Sequence, residues 1–487
     1  MTLPPSATQP PGRPAESPPP PASGVNWLPL IAVVTAVVLL SVVGVVISQG
    51  EPARSTEPLS APGEPYGDTV ERATDDLNLF WAEKLPETYG VEYAELRHGV
   101  IRYSEENDPP DCGPEVLTYQ DMANNAFYCP PQLVPEDTQQ VASGDYIAYD
   151  SQSLFPSIAE RFGGAGVAAI LAHEWGHAVQ NRGQVAADDT IELELQADCF
   201  AGAWLKWVRD DASPYLTASV DDLDRAAAAL LTFRDPPGAD PTSETAHGNG
   251  FDRVAAFQDG FVNGTSACAD YPQGGVTFTE DVYRSYFDLL SEGNAPLESL
   301  PPLVFQGLED FWPDRFGEAF DTTEEYSPVE TLEEFTDAPP QCQGGAVPEP
   351  QEVQTAAFYC PGSDTLGWTV GGPMSELYDV FGDGSVAEVL IDRWGYAMRH
   401  KAGEDLDGVE AALQVDCTTG AFFRYANASG ALSPGDLDEA IANLLASSLL
   451  LDFSDERGTG FVRVGAFRVG FDDGIAACSS VTPPDAS

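Results

Sequence analysis

Basic residues are scarce in this chain. Against 78 Asp and Glu stand 22 Lys and Arg, a formal charge of −56 over 487 residues. A surface so poor in cations repels phosphate backbones and anionic headgroups, which argues against nucleic acid as a partner. The acidic excess itself reads as a solvated surface suited to solubility. Histidine is rarer still, with five in all, so a histidine-based site has few places to be. No recognisable wall-binding module is present.

Uncharged apolar sequence of membrane-spanning length occurs near the start, WLPLIAVVTAVVLLSVVGVVIS at 27–48. It is too long for a signal peptide, and no clear small-x-small cleavage site follows it, so an uncleaved anchor is expected. Residues 1–26, rich in Pro and Ser, are expected to be a disordered cytoplasmic tail, and 49–68 a flexible linker.

Beyond the linker the chain repeats itself. LNLFW at 77–81 corresponds to LEDFW at 308–312, AFYCP at 126–130 to AFYCP at 357–361, and GFDRVAAFQDGF at 250–261 to GFVRVGAFRVGF at 460–471. The shared blocks keep their order, which implies a duplication with one copy at 69–275 and the other at 276–487. The eight cysteines fall into matching sets, Cys112, Cys129, Cys199 and Cys268 against Cys342, Cys360, Cys417 and Cys478. An even count kept in both copies favours disulfides and an extracytoplasmic, membrane-anchored location for both domains. Three pairings are open within each set; the expected ones in the first are Cys112 with Cys129 and Cys199 with Cys268.

The first copy carries HEWGH at 173–177, on a stretch with apolar residues at helical spacing from Gly166 to Asn181. Further helices are expected at Thr190–Arg209, Val220–Phe233 and Phe251–Val262, and strands at Val100–Tyr103 and Tyr146–Tyr149. His173 and His177, four apart, leave one helix face and can converge on a single ion. Glu174, turned about 100° from His173, can reach a metal-bound water without binding the metal. A catalytic zinc takes three protein ligands, and Glu194 on the next helix is the candidate third, with Glu192 ranked below it. Asp198, one turn beyond Glu194, can accept the free N–H of a ligating histidine. Water would fill the fourth position, and Glu174 would act as general base in peptide-bond hydrolysis. A short motif with three fixed positions can arise on an ordinary helix, but here it holds two of the five histidines and an acidic helix follows at short range.

HEWGHAVQ at 173–180, ELQADCFAGAW at 194–204 and His247-Gly248 resemble the bacterial neutral zinc metallopeptidase family of membrane-anchored proteins, itself similar to gluzincins. The resemblance implies a mainly α fold of α+β, zincin-like type, one Zn²⁺, His173, His177 and Glu194 as its ligands, and Glu174 as catalytic base. It covers 69–275 well. In the second copy the corresponding residues are Asp392, Arg393, Tyr396 and Ala412, so that half reads as a degenerate, ligand-less domain that binds substrate or a regulator. His247, replaced there by Arg457, is read either as a donor to the oxyanion or as a packing residue. Arg253 survives as Arg463 and reads as structural, as do Gly176, Gln180 and Trp175. His98 and His400 read as ordinary histidines.

The expected partners are therefore a protein or peptide substrate and, through one span, the membrane. Two rival functions remain: a scaffold protein with a closed, structural zinc, and a hydrolase acting on another amide such as one in the cell wall.

Overall fold

The computed structural model describes residues 56–113, 116–131, 144–243, 246–274, 278–279, 282–336, 342, 345–346, 356–451 and 457–483. The expected tail and membrane span lie outside the described residues. From residue 56 onward the chain is packed against the body. Glu57–Pro58 pairs in parallel with Leu216–Thr217, and Leu59 is buried, so this part of the stretch read as a linker is anchored by hydrogen bonds and an apolar contact.

The fold is mainly helical. In the first copy α1 (Gly67–Tyr89) precedes a three-stranded sheet of β1 (Gly99–Tyr103), β2 (Ala126–Cys129) and β3 (Tyr146–Asp150). The strand order is β1–β3–β2, with β1 parallel and β2 antiparallel to β3. Then come α2 (Leu154–Gly183), α3 (Thr190–Arg209), α4 (Val220–Leu231) and α5 (Gly250–Asn263). Among the described residues α2 is the one helix long and apolar enough to cross a membrane, but 78% of its apolar window is buried inside the protein, as in a core helix.

The same plan recurs in the second copy. There α6 (Leu300–Phe311) precedes β4 (Thr331–Glu334), β5 (Ala357–Cys360) and β6 (Thr365–Trp368), again one parallel and one antiparallel pairing about the middle strand β6. They are followed by α7 (Asp383–Ala402), α8 (Gly408–Ser429), α9 (Asp436–Leu451) and α10 (Gly460–Asp473).

Two glycines explain how α3 and α5 lie so close. A Cβ on Gly202 would run into the Phe257 carbonyl, and one on Gly260 into the Cys199 carbonyl. Only bare backbone allows that crossing. It is closed covalently by Cys199–Cys268, and Cys112–Cys129 ties β2 to the loop after β1, as expected. The second copy repeats both bonds as Cys342–Cys360 and Cys417–Cys478. The apolar core is continuous through both copies.

Candidate metal centre

Helix α2 presents His173 and His177 on one face, and α3 lays Glu194 across them. His173 Nε2 is 3.2 Å from His177 Nε2, and 3.3 Å separates each from an oxygen of Glu194. Ligands about 2.0 Å from a tetrahedral zinc stand about 3.3 Å apart, so the triangle has the size such an ion requires.

The neighbours of the two imidazoles decide where their lone pairs point. His173 Nδ1 lies 2.7 Å from Asp198 Oδ1, an acceptor. His177 Nδ1 lies 2.9 Å from Gln180 Oε1, and the Gln180 amide donates through Nε2 to the Leu193 carbonyl at 2.6 Å, which assigns the oxygen to the histidine side. Both Nδ1 atoms therefore donate, and both Nε2 atoms face inward. Glu194 Oε2, buried among them, has no hydrogen-bond partner. Two imidazole nitrogens and a carboxylate oxygen thus converge, and such a set is satisfied by cations, either protons on the imidazoles or a metal ion that displaces them. The donor set of two imidazoles and one carboxylate suits Zn²⁺.

Residues 121–271 match the family described as "Putative neutral zinc metallopeptidase". An uncharacterized protein of Mycobacterium bovis and two of Mycobacterium tuberculosis are each 29% identical to this chain over 170 residues, covering 30% of it and 54% of the relative. The chain thus spans about half the length of the curated relatives it matches. No solved structure matches it.

Within the matched segment, Asp198 is fully buried and held from behind by Arg253, whose Nε and Nη2 donate to its two oxygens at 2.8 and 3.0 Å. Arg253, read from sequence as structural, thus holds the carboxylate that orients a candidate ligand. Gln180 does the same for His177. Its spacing three residues after His177 on one helix was the available signal. Glu192 is not in the cluster: its Oε2 accepts the Asp188 backbone N–H.

Glu174 is buried beside the imidazoles and lines, with His173, His177, Glu194 and His247, a cleft of about 380 Å³. Strand β2 forms part of the same cleft wall. Burial pushes the Glu174 carboxyl above its usual range, opposed by His177 and His173. Burial would also raise Glu194, yet His177 and His173 hold it well below the carboxylate range. The cluster thus pairs one carboxylate held ionised with another pushed toward protonation.

His247 shares the cleft, but its imidazole Nδ1 bonds Asp235 at 3.3 Å, and Asp235 also accepts the backbone N–H groups of His247 and Gly248. The side chain is half exposed. His98 and His400 lie outside the cluster.

In the second copy a guanidinium stands among the acids. Arg457 donates to both oxygens of Asp392 at 2.8 and 3.1 Å, and Arg393 also pairs with Asp392. Arg463 holds Asp416 in the geometry of Arg253 with Asp198. Glu388, Asp392 and Asp416 approach one another closely, but Arg393, Arg457 and Arg463 stand beside them as counter-charges.

Proposed function

We propose that this chain is a membrane-anchored, extracytoplasmic zinc metallopeptidase whose first copy is catalytic and whose second, ligand-less copy binds substrate or a regulator. The observation that carries the reading is the triangle of His173 Nε2, His177 Nε2 and Glu194, all facing inward, with a buried carboxylate, Glu174, on the same open cleft. The match of residues 121–271 supports it at the level of the family. The location rests on the uncharged run at 27–48 and on the four disulfides, which persist in oxidising compartments.

His173, His177 and Glu194 would hold the ion. When bound, zinc supplies a Lewis acid that polarises the scissile carbonyl and lowers the pKa of the attacking water. Asp198 and Gln180 accept from the two Nδ1 atoms and so turn both Nε2 atoms toward the ion. Glu174 takes the proton of the attacking water at its carboxylate and delivers it to the departing amine. Its raised pKa suits both halves of that task. His247, on the same cleft, is placed to donate toward the oxyanion.

A structural zinc would call for a fourth protein ligand. The described residues bring three together, beside a cleft.

The test compares metal content and peptide hydrolysis of the purified chain with those of Glu174→Gln and His177→Ala. The expected result is about one zinc per wild-type chain, zinc but no turnover in Glu174→Gln, and neither in His177→Ala. Activity persisting in clean Glu174→Gln protein would overturn the mechanism.

A further inference from the structure

The second copy holds a further buried acidic cluster that, among the described residues, no arginine neutralises. Asp383 opens α7, and Asp436 and Glu439 lie in the first turn of α9. Their carboxylate oxygens lie within 4.8 Å of one another, and each residue is more than nine-tenths buried. Each carboxylate has one backbone donor: Ala295 N to Asp383 Oδ2 at 2.9 Å, Ser433 N to Asp436 Oδ2 at 2.8 Å, and Gly384 N to Glu439 Oε2 at 2.7 Å. Asp383 Oδ1 and Asp436 Oδ1 are buried with no partner. Among the described residues no Lys or Arg pairs with any of the three; what surrounds them is backbone N–H and other carboxylates.

The first copy shows what is missing. The blocks DDLDR at 221–225 and GDLDE at 435–439 align, as do FGGAG at 162–166 and FGDGS at 381–385, so Gly164, Asp222 and Arg225 stand where the second copy has Asp383, Asp436 and Glu439. Asp222 Oδ2 accepts Ser219 N at 2.8 Å, just as Asp436 Oδ2 accepts Ser433 N. Asp222 Oδ1 then takes the Arg225 guanidinium at 3.1 Å. Its counterpart, Asp436 Oδ1, is the orphaned atom. The second copy has thus exchanged a neutral pair for three carboxylates while keeping the backbone around them.

We infer that Asp383, Asp436 and Glu439 form a binding site for a hard divalent cation of the calcium type, which takes the place that the Arg225 guanidinium fills in the first copy. An all-oxygen donor set excludes a preference for zinc or copper. Two oxygens about 2.4 Å from one Ca²⁺ stand at most about 4.8 Å apart, and one oxygen from each of the three carboxylates lies within that distance of the others. Magnesium, which keeps several waters, fits a buried triad poorly. Left without a cation the cluster must hold protons: burial, then Asp383, pushes Glu439 up to about 8. This site is independent of the histidine cluster and of the activity proposed for it.

The test uses the full-length chain in detergent with excess zinc present, so that added calcium cannot report through the histidines. Thermal melting with and without Ca²⁺ is read beside Tb³⁺ luminescence, for which Tyr378, whose hydroxyl bonds the Ala295 carbonyl, is a nearby sensitiser. Expected are a rise in Tm of several degrees, one saturable Tb³⁺ site displaced by Ca²⁺, and loss of both responses in Asp436→Asn. Glu439→Arg, which restores the first copy's pairing, should melt without calcium as high as wild type does with it. The inference fails if wild type shows no saturable site, or if the calcium response survives Asp436→Asn, which would assign it to the acidic surface. It fails equally if Asp436→Asn and Glu439→Gln both raise the calcium-free Tm while wild type ignores calcium, for the cluster then shares protons only.

Discussion

Asp224 and Asp438 occupy the same place in the two copies, and each caps the last long helix of the other. Asp438 accepts the N–H groups of Gly250 and Phe251 at 2.9 and 2.7 Å; Asp224 accepts those of Gly460 and Phe461 at the same two distances. Both carboxylates are buried. Phe251 packs edge-on to Phe467 and Phe471, and Phe461 to Phe257 and Phe261. The contact has the self-complementary form of a two-fold dimer, built within one chain.

Replacing Asp438 by Ala leaves two buried N–H groups unpaired at a helix N-terminus, and a cost of about 1–3 kcal/mol per lost charged cap is expected. Asp224→Ala should cost a similar amount. Chemical denaturation of the two variants checks this, and a loss at one position without the other would break the equivalence.

Residues 56–274 produced alone would lose the partner face that covers Phe251, Phe257 and Phe261 and the helix that Asp224 caps. The expected outcome is self-association through that face. A stable monomer by sedimentation would count against the interface as a source of stability.

Gln180→Ala removes the acceptor that orients His177, and loss of such a partner lowers metal affinity by about 10- to 100-fold. Competition with a chromophoric zinc chelator measures the change. An unaltered Kd would show that His177 needs no support from behind.

Metal affinity should rise with pH. In the metal-free protein burial works against protonation of His173, but Asp198 and then Glu194 overcome it and carry the imidazole up to about 10. At neutral pH a metal must therefore displace a proton, and each proton displaced makes Kd fall by about tenfold per pH unit below that value. Calorimetry in buffers of different ionisation enthalpy counts the protons released; a count of zero would contradict the protonation of the free site.

Much of the candidate site was legible in the sequence because its geometry is local. His173 and His177 share a helix, and Glu194 and Asp198 share the next, whose bounds, Thr190–Arg209, coincide with the expected ones. Helix α2 starts at Leu154, well before the Gly166 from which the apolar spacing predicts it. Gly163 does leave helical geometry, at φ 64°, but the turn serves a close approach to residues 60–62, and the chain is helical on both sides of it. Strand β2 is not among the strands expected from sequence: its four residues become a strand by pairing with β3, further along the chain. The helix-capping role of Asp224 could not be seen, since an acidic residue on an amphipathic helix reads as surface and its partner lies more than 200 residues away.

Because Arg457 reaches both oxygens of Asp392, the second copy carries its own counter-ion on a tether. Under the function proposed above, zinc starvation would leave the histidine cluster without its ion but that pocket neutralised. Half of the molecule would keep its internal order without any supply of transition metal, and would still present Asp438 to the helix that carries Arg253.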